Sequence, residues 1–340
     1  MRSAHPDSNN LARIAVFGAG SWGTALAATL AANGAQVRLW ARDPLKAEQI
    51  NHARENRYYL PGVRLPALLS ATSSVTHAVA DADEIWLVMP TAGLSDFLAE
   101  HQAILPRDIP YISGSKGFEH GSGRRVSELV EHHLGAVAFA VVSGPTFALE
   151  IAQGSPSAIA VASTDPALAE ATANRLRNQH IRCYGLTDVT GVELAGGLKN
   201  VLAIAAGTSD GFGFGANARA ALITRGLAEV SRLGAAMGAD AHTFTGLAGL
   251  GDLVLTCTDN HSRNRRFGLL LAQGVERDQA IAQIGQVVEG IGAATEGVRL
   301  AEQYQQDLPI ISVVHRVLHE GLPARAAVAE LLSREPKRLV

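Results

Sequence analysis

Ile14-Ala15-Val16-Phe17-Gly18-Ala19-Gly20-Ser21-Trp22-Gly23 is the stretch on which the fold turns. Four apolar residues run straight into a Gly-x-Gly-x-x-Gly turn, and a helical run, Thr24–Asn33, follows at once. Such a run reads as a strand buried on both faces, feeding a turn and then a helix. In that setting Gly18 allows the tight turn, Gly20 lets a pyrophosphate reach the backbone, and Gly23 lets the helix lie close to the sheet. The free N–H groups at the helix start face the phosphates. In a chain with 34 glycines the pattern alone says little; its place between strand and helix gives it weight. The plain alternative is a structural strand-turn-helix.

Outward from this segment, β-branched runs alternate with helical patterns from Ala12 to about Gly185, the signature of βαβ units. Strands are expected at Ile14–Phe17, Gln36–Trp40, Glu84–Met89, Tyr111–Ser113, Phe139–Ser143, Ala158–Ala162 and Arg182–Tyr184. Trp22–Asn33, Leu94–Leu105 and Ala167–Asn178 are expected helices between them. After Thr187 the strand signals stop. Helical segments follow at Val189–Ala206, Ala216–Met237, Arg263–Gln273, Thr295–Gln305, Ile311–Leu318 and Arg325–Ser333, with glycine-rich joints at 207–215, 246–251 and 285–292. The expected class is therefore α/β: a Rossmann-like, mainly parallel sheet domain over 11–186, then an all-helical C-terminal domain over 187–340, with a polar tail at 1–10. A ligand is expected in the cleft between the halves.

Composition narrows the function. The 340 residues carry 32 acidic and 29 basic side chains, a formal charge of -3. Neither nucleic acid nor an anionic membrane surface would attract such a chain strongly, so a small-molecule substrate is expected, with no membrane insertion. At 47% hydrophobic residues a large interior can be buried, which excludes disorder as the main state. Two distant cysteines, Cys183 and Cys257, provide neither a disulfide framework nor a zinc spacing, and none of the twelve histidines pairs with a carboxylate at metal-ligand spacing, so no metal is assigned. The opening MRSAHPDSNN lacks the apolar core of a secretion signal; a cytoplasmic setting is expected.

Several side chains carry candidate chemistry. Strand Gln36–Trp40 ends in Ala41-Arg42-Asp43-Pro44, placing Arg42 where an NAD-selective site keeps its carboxylate. An arginine pairs with a 2′-phosphate, so NADP(H) is favoured, while Asp43 keeps NAD(H) open and Arg42 could equally be a solvated loop residue. Lys199 projects among Ala195, Gly196, Ala203 and Ala206, opposite an apolar face of Leu194, Leu198, Val201, Leu202 and Ala205. Burial there would lower its pKa toward the range of a general acid or base; a solvated helix lysine is the ordinary alternative. Asp252, between Gly249-Leu250-Gly251 and an apolar run, needs a cation or hydroxyl partner, unless it caps a helix. Ser262-Arg263-Asn264-Arg265-Arg266-Phe267 offers a serine cap, free N–H groups and guanidinium forks to a phosphate, or else a solvated basic face. Lys116, in Ser113-Gly114-Ser115-Lys116-Gly117, and Gly144 and Thr146, in Ser143-Gly144-Pro145-Thr146-Phe147-Ala148, lie beyond strand ends where α/β sheets bind ligands, though both segments also suit ordinary turns.

In their order these segments resemble one family. Gly18 to Leu26, Lys116-Gly117, Ser143 to Ala148, Gly196-Gly197-Leu198-Lys199-Asn200-Val201, Gly249 to Leu253, Thr256 to Gly268 and Gly285-Gln286-Val287-Val288-Glu289-Gly290 are similar to the bacterial form of NAD(P)-dependent sn-glycerol-3-phosphate dehydrogenase, over nearly the whole chain. The resemblance implies that Ser21, Trp22 and Arg42 contact the dinucleotide and that Ala148 borders its nicotinamide end. It implies that Val287 and Glu289 close over the dinucleotide, and that Lys116 touches both cofactor and substrate. Gly144 and Thr146 would line the substrate, and Ser262, Arg263 and Asn264 would hold it, with Arg263 also reaching the cofactor. Lys199, Asp252 and Lys116 would form the catalytic group, Lys199 moving the proton and Asp252 orienting it. The implied reaction is reversible reduction of dihydroxyacetone phosphate to sn-glycerol 3-phosphate, supplying glycerophospholipid synthesis, in a possible homodimer. Two rivals are a related β-hydroxyacid dehydrogenase, which would place an asparagine where this chain has Ala203, and a dinucleotide-sensing protein without catalysis, which would not need Lys199, Asp252 and Arg263 together.

Overall fold

A computed structural model of the chain describes residues 11–333, so the tail at 1–10 and the last seven positions of the expected helical domain lie outside the described residues. Eight strands form one sheet: β1 (Arg13–Phe17), β2 (Gln36–Trp40), β3 (Leu69–Thr72), β4 (Glu84–Leu87), β5 (Tyr111–Ser113), β6 (Phe139–Ser143), β7 (Ser157–Ala162) and β8 (Ile181–Leu186). Their spatial order is β3-β2-β1-β4-β5-β6-β7-β8. Every pair is parallel except β6 with β7. Because β1 is covered on both faces, its alternate residues serve two cores. Ile14 and Val16 join Leu26 and Leu30 of the following helix, while Ala15 and Phe17 join Phe97 and Leu98. Full burial of each such large side chain contributes roughly 1.5–3 kcal/mol.

The order reverses between β1 and β4, and the carboxyl ends of these strands open into the crevice where α/β sheets bind ligands. The sequence reading missed β3. Leu69-Ser70-Ala71-Thr72 has no β-branched run, and it becomes a strand by pairing with β2, with Leu69 opposite Val37.

From Val189 onward the described residues are helical. The Val189–Gly211 helix was expected to have one apolar face; instead every residue from Gly191 to Ile204 is buried, because helices surround it. It alone among the described helices is long and apolar enough to cross a membrane, and its most apolar window is 89% buried inside the protein. The Arg263–Ala272 helix crosses it backbone to backbone. A Cβ on Gly207 would stand 2.0 Å from the Arg265 carbonyl oxygen, and one on Gly268 would stand 2.1 Å from that of Ile204.

Two expected joints prove to be structured. Residues Leu247–Gly251 form one turn of π-helix that runs directly into the Asp252–Thr258 helix. The helix expected to begin at Thr295 starts at Glu289, inside the joint at 285–292. Glycine content suggested breaks at both places, but here glycine serves close packing: a Cβ on Gly249 would lie 2.1 Å from the Phe244 carbonyl, and one on Gly290 would lie 2.7 Å from that of Asn200.

Candidate active site

The two halves face each other across a cleft of about 1680 Å³. Its floor is the glycine turn. Gly18 has φ +122°, and a Cβ there would sit 2.3 Å from the Val88 carbonyl. One on Gly23 would sit 1.9 Å from the Gly18 carbonyl, while at Gly20 there is open space within 4 Å. The Ser21–Ala32 helix has no side-chain cap at Gly20, so its first N–H groups have no side-chain acceptor. A bare backbone floor with N–H groups at its rim fits the pyrophosphate of a dinucleotide. Ser21, Trp22, Arg42, Thr146, Ala148, Val287 and Glu289 line the same cleft.

At the inner wall one carboxylate serves two ammonium groups. Asp252 Oδ2 accepts from Lys116 Nζ at 2.8 Å, and Asp252 Oδ1 accepts from Lys199 Nζ. Lys199 Nζ also donates to Thr256 Oγ1 at 3.0 Å, and that hydroxyl donates to the Asp252 carbonyl at 2.6 Å. The π-turn sets Asp252 at the start of its helix, 1% exposed, where the helix dipole favours a negative charge. Lys116 comes from the sheet domain. Ser115 Oγ anchors its loop by donating to the Met89 carbonyl at 2.7 Å. The paired glycines before Leu198 make room for that loop: a Cβ on Gly197 would meet the Phe118 ring at 2.6 Å, and one on Gly196 would approach the Lys116 stem at 3.8 Å.

This burial has an electrostatic consequence. Desolvation, reinforced by the neighbouring Lys116 charge, brings Lys199 down from 10.5 to about 8, although Asp252 pulls the other way. Burial alone would raise the Asp252 carboxyl, but the two ammonium groups hold it below the ordinary carboxylate range. Lys199 thus sits near neutrality beside a permanently ionised partner, the condition a proton-transfer group needs.

The opposite wall is the start of the Arg263–Ala272 helix. Ser262 is its cap, with Oγ accepting from the Arg265 N–H at 3.2 Å. Arg263 Nη1 donates to Gln286 Oε1 at 3.3 Å. Asn264 is held from both ends: Nδ2 donates to Asn200 Oδ1 at 3.0 Å, and Oδ1 accepts from the Gly290 N–H at 2.9 Å. Asn200 in turn donates to Glu289 Oε2 at 3.2 Å. Arg265 leaves the basic patch altogether. It is buried, donating to the Cys257 carbonyl at 3.1 Å and to Asp210 Oδ2 at 2.6 Å, whereas Arg263 and Arg266 line the cleft.

Lys199, Lys116, Ser262, Arg263 and Asn264 are therefore brought together along one groove. Gly144 and Asp252 are not among the residues lining it. Gly144, at φ +147°, turns the chain out of β6 with a would-be Cβ 3.1 Å from the Ala158 carbonyl, and Asp252 lies behind the two lysines. The sequence reading missed Asn200 and Thr256. Thr256 stands four residues after Asp252, a signal hidden because the continuous apolar run Leu253–Leu255 has no helical period. Among the described residues no group of three or more His, Cys, Asp or Glu side chains is placed to hold a metal ion.

Residues 13–169 match the profile described as NAD-dependent glycerol-3-phosphate dehydrogenase N-terminus, and residues 188–329 match that of the C-terminus. Glycerol-3-phosphate dehydrogenase [NAD(P)+] of Halorhodospira halophila is 48% identical over 330 residues, covering 95% of this chain and 97% of that protein. The chain belongs to the NAD-dependent glycerol-3-phosphate dehydrogenase family. A glycerol-3-phosphate dehydrogenase [NAD(P)+] from Edwardsiella ictaluri is 49% identical over 326 residues, 95% of this chain and 96% of its own. The crystal structure of glycerol-3-phosphate dehydrogenase from Coxiella burnetii superposes with a TM-score of 0.92 at 42% identity, covering 95% of this chain and 99% of that one. D-mandelate dehydrogenase, 14% identical with a TM-score of 0.61, shares the fold alone. The glycerol-3-phosphate dehydrogenase relationship extends through both the sheet and the helical part.

Proposed function

We propose that Lys199 carries the proton in this enzyme, an NAD(P)-dependent oxidoreductase that reversibly reduces dihydroxyacetone phosphate to sn-glycerol 3-phosphate for glycerophospholipid synthesis. The observation supporting Lys199 is its buried ammonium, shared through Asp252 with Lys116, on the wall of the cleft. Hydride for the ketone carbon comes from the reduced nicotinamide when it is bound. Lys199 gives its proton to the oxygen as negative charge develops there, and Lys116 stabilises that charge. Asp252 and Thr256 keep the Lys199 Nζ aimed. Arg263 and Asn264 take the substrate phosphate, converting binding at one end of the molecule into orientation at the other. Ser262 contributes by setting the helix start that presents them, and Gly144 by shaping the turn that carries Thr146 to the groove.

Gly18, Gly20 and Gly23, with Ser21 and Trp22, form the dinucleotide floor, and Lys116, Ala148, Arg263, Val287 and Glu289 flank it. NADP(H) is favoured over NAD(H) because Arg42 lines the cleft while Asp43 Oδ1 caps the next helix, accepting from the Leu45 N–H at 2.9 Å. The working form is a cytoplasmic homodimer acting on a small molecule, without nucleic acid or membrane insertion; sedimentation of the pure protein tests the dimer.

The decisive assay follows NADPH absorbance on adding dihydroxyacetone phosphate, beside a Lys199→Ala variant. The variant should lose roughly 10²–10⁴-fold in kcat while still binding dinucleotide. No NADPH or NADH consumption by the parent overturns the activity, and a folded variant as fast as its parent removes Lys199 from the chemistry.

A further inference from the structure

We propose that Lys46 is a second reader of the cofactor's 2′-phosphate, acting with Arg42, and that Tyr58 and Tyr59 hold it in position. The proposal deepens the NADP(H) reading above and rests on it.

Lys46 and Arg42 both line the cleft on the sheet-domain side, beyond the end of β2. The Lys46 Nζ stands 5.2 Å from the ring centroids of both Tyr58 and Tyr59. Those rings meet edge to face with centroids 4.6 Å apart, so the ammonium rests in the angle between two electron-rich surfaces. Tyr58 is itself tied across the cleft, its hydroxyl donating to the Gly285 carbonyl at 3.3 Å. A lysine stem that would otherwise sample many rotamers is thereby confined at the mouth of the nucleotide groove.

The charges nearby leave this ammonium without a protein counter-ion. Lys46 makes no ion pair among the described residues; Glu48, two positions on, is exposed and not paired with it, and two other acids close in sequence are engaged elsewhere. Asp43 caps its helix, and Glu55 accepts from the Gly62 N–H at 2.8 Å and from Arg57 Nε at 3.5 Å. Beyond its Asp43 cap the Pro44–Ala53 helix has no acid in its first turn, so Arg42 and Lys46 outnumber the one carboxylate at the positive end of its dipole. A further anion there is favoured. A 2′-phosphate brings two negative charges and several acceptor oxygens, whereas the 2′-hydroxyl of NAD brings neither.

The test pairs binding with turnover. Adenosine 2′,5′-bisphosphate and 5′-AMP are titrated calorimetrically into the parent, Lys46→Ala and Lys46→Arg, and NADPH and NADH efficiencies are measured with dihydroxyacetone phosphate. In Lys46→Ala the Kd of the bisphosphate should rise about tenfold, the loss of one charge-assisted hydrogen bond. The NADPH-to-NADH ratio of kcat/KM should fall by a similar factor, and Lys46→Arg should restore most of both. Equal weakening of bisphosphate and AMP, or no change in either, overturns the proposal. If the parent turns over neither dinucleotide, the activity reading fails, and the bisphosphate titration still decides Lys46.

Discussion

Lys116 Nζ lies 2.8 Å from Asp252 Oδ2, and this bond joins the sheet domain to the helical domain at the chemical end of the cleft. It also sets the charge felt by Lys199: Asp252 favours the protonated amine, and Lys116 disfavours it. With Lys199 as the proposed proton donor, ketone reduction requires its protonated form, so kcat/KM should fall as pH rises through about 8. In Lys116→Met the midpoint should move to higher pH, and in Asp252→Asn to lower pH, with lower plateau rates in both. Profiles of kcat/KM against pH check this; midpoints moving together contradict the coupling.

On the proposed mechanism, glycerol 3-phosphate oxidation runs the same proton the other way and requires the neutral amine, so its rate should climb through the same pH range. Measuring both directions in one set of buffers gives two limbs that cross near a common midpoint. Limbs rising in the same sense would assign the titration to another group.

Arg263 presents a forked guanidinium from a helix start and donates to Gln286 Oε1. Replacing it with alanine should raise the KM for dihydroxyacetone phosphate about 10–100-fold, the scale of one hydrogen bond to a charged group. Lysine should recover part of the loss, because a point charge lacks the planar fork. Arg265→Ala should act differently, lowering thermal stability more than substrate affinity, since Arg265 binds Asp210 and the Cys257 carbonyl inside the fold. Initial-rate kinetics and thermal melts separate the two arginines.

Glu229 is buried, and both carboxylate oxygens accept from the Ile310 N–H at 3.0 Å. Burial lifts this carboxyl from 4.5 to about 7. Between those values the folded state holds more protons than the unfolded chain, so this group's contribution to stability is present at low pH and is lost as pH rises toward 7. Glu229→Gln should flatten that slope while keeping one acceptor for the backbone. Urea midpoints at pH 5 and pH 7 for parent and variant provide the comparison, and an unchanged slope would show that Glu229 does not titrate there.

Gly268→Ala should destabilise the helical domain by about 1–3 kcal/mol, because the added methyl meets backbone that cannot move aside cheaply. The melting temperature should drop by several degrees, at roughly 2–4 °C per kcal/mol. Gly274→Ala is the contrasting case: a Cβ there meets nothing within 4 Å, so its cost comes from its φ of +82° alone. A melt showing Gly268→Ala as stable as the parent would contradict the close helix crossing.

How far the site was legible depended on whether its signal was local. The strand-turn-helix at Ile14–Gly23 was readable because four apolar residues, three spaced glycines and a helical run lie in one stretch, and each constrains its neighbours through backbone sterics. Lys199 stood out for the same reason, framed by small residues one helical turn away. The helix carrying Asp252 and Thr256 was not readable, since its exposed face carries the apolar Val254 and polarity therefore does not mark its period. Residue patterning alone did not tell Arg263 from Arg265, although the family resemblance named Arg263: two residues apart on a helix they point in different directions, and the packing partners say which one meets the cleft.

By itself the sequence determined the α/β class and the strand, glycine turn and helix at its start, and it offered most of the candidate side chains, because propensity, patterning and glycine sterics act over a few residues. Tertiary structure alone decided that Lys116, Lys199 and Asp252 form one ion cluster, that β3 is a strand, and that Lys46 rests between two tyrosines. Those outcomes depend on which distant segments share a low-dielectric interior. Burial, and the pKa values and pairings that follow from it, is a property of the packed chain.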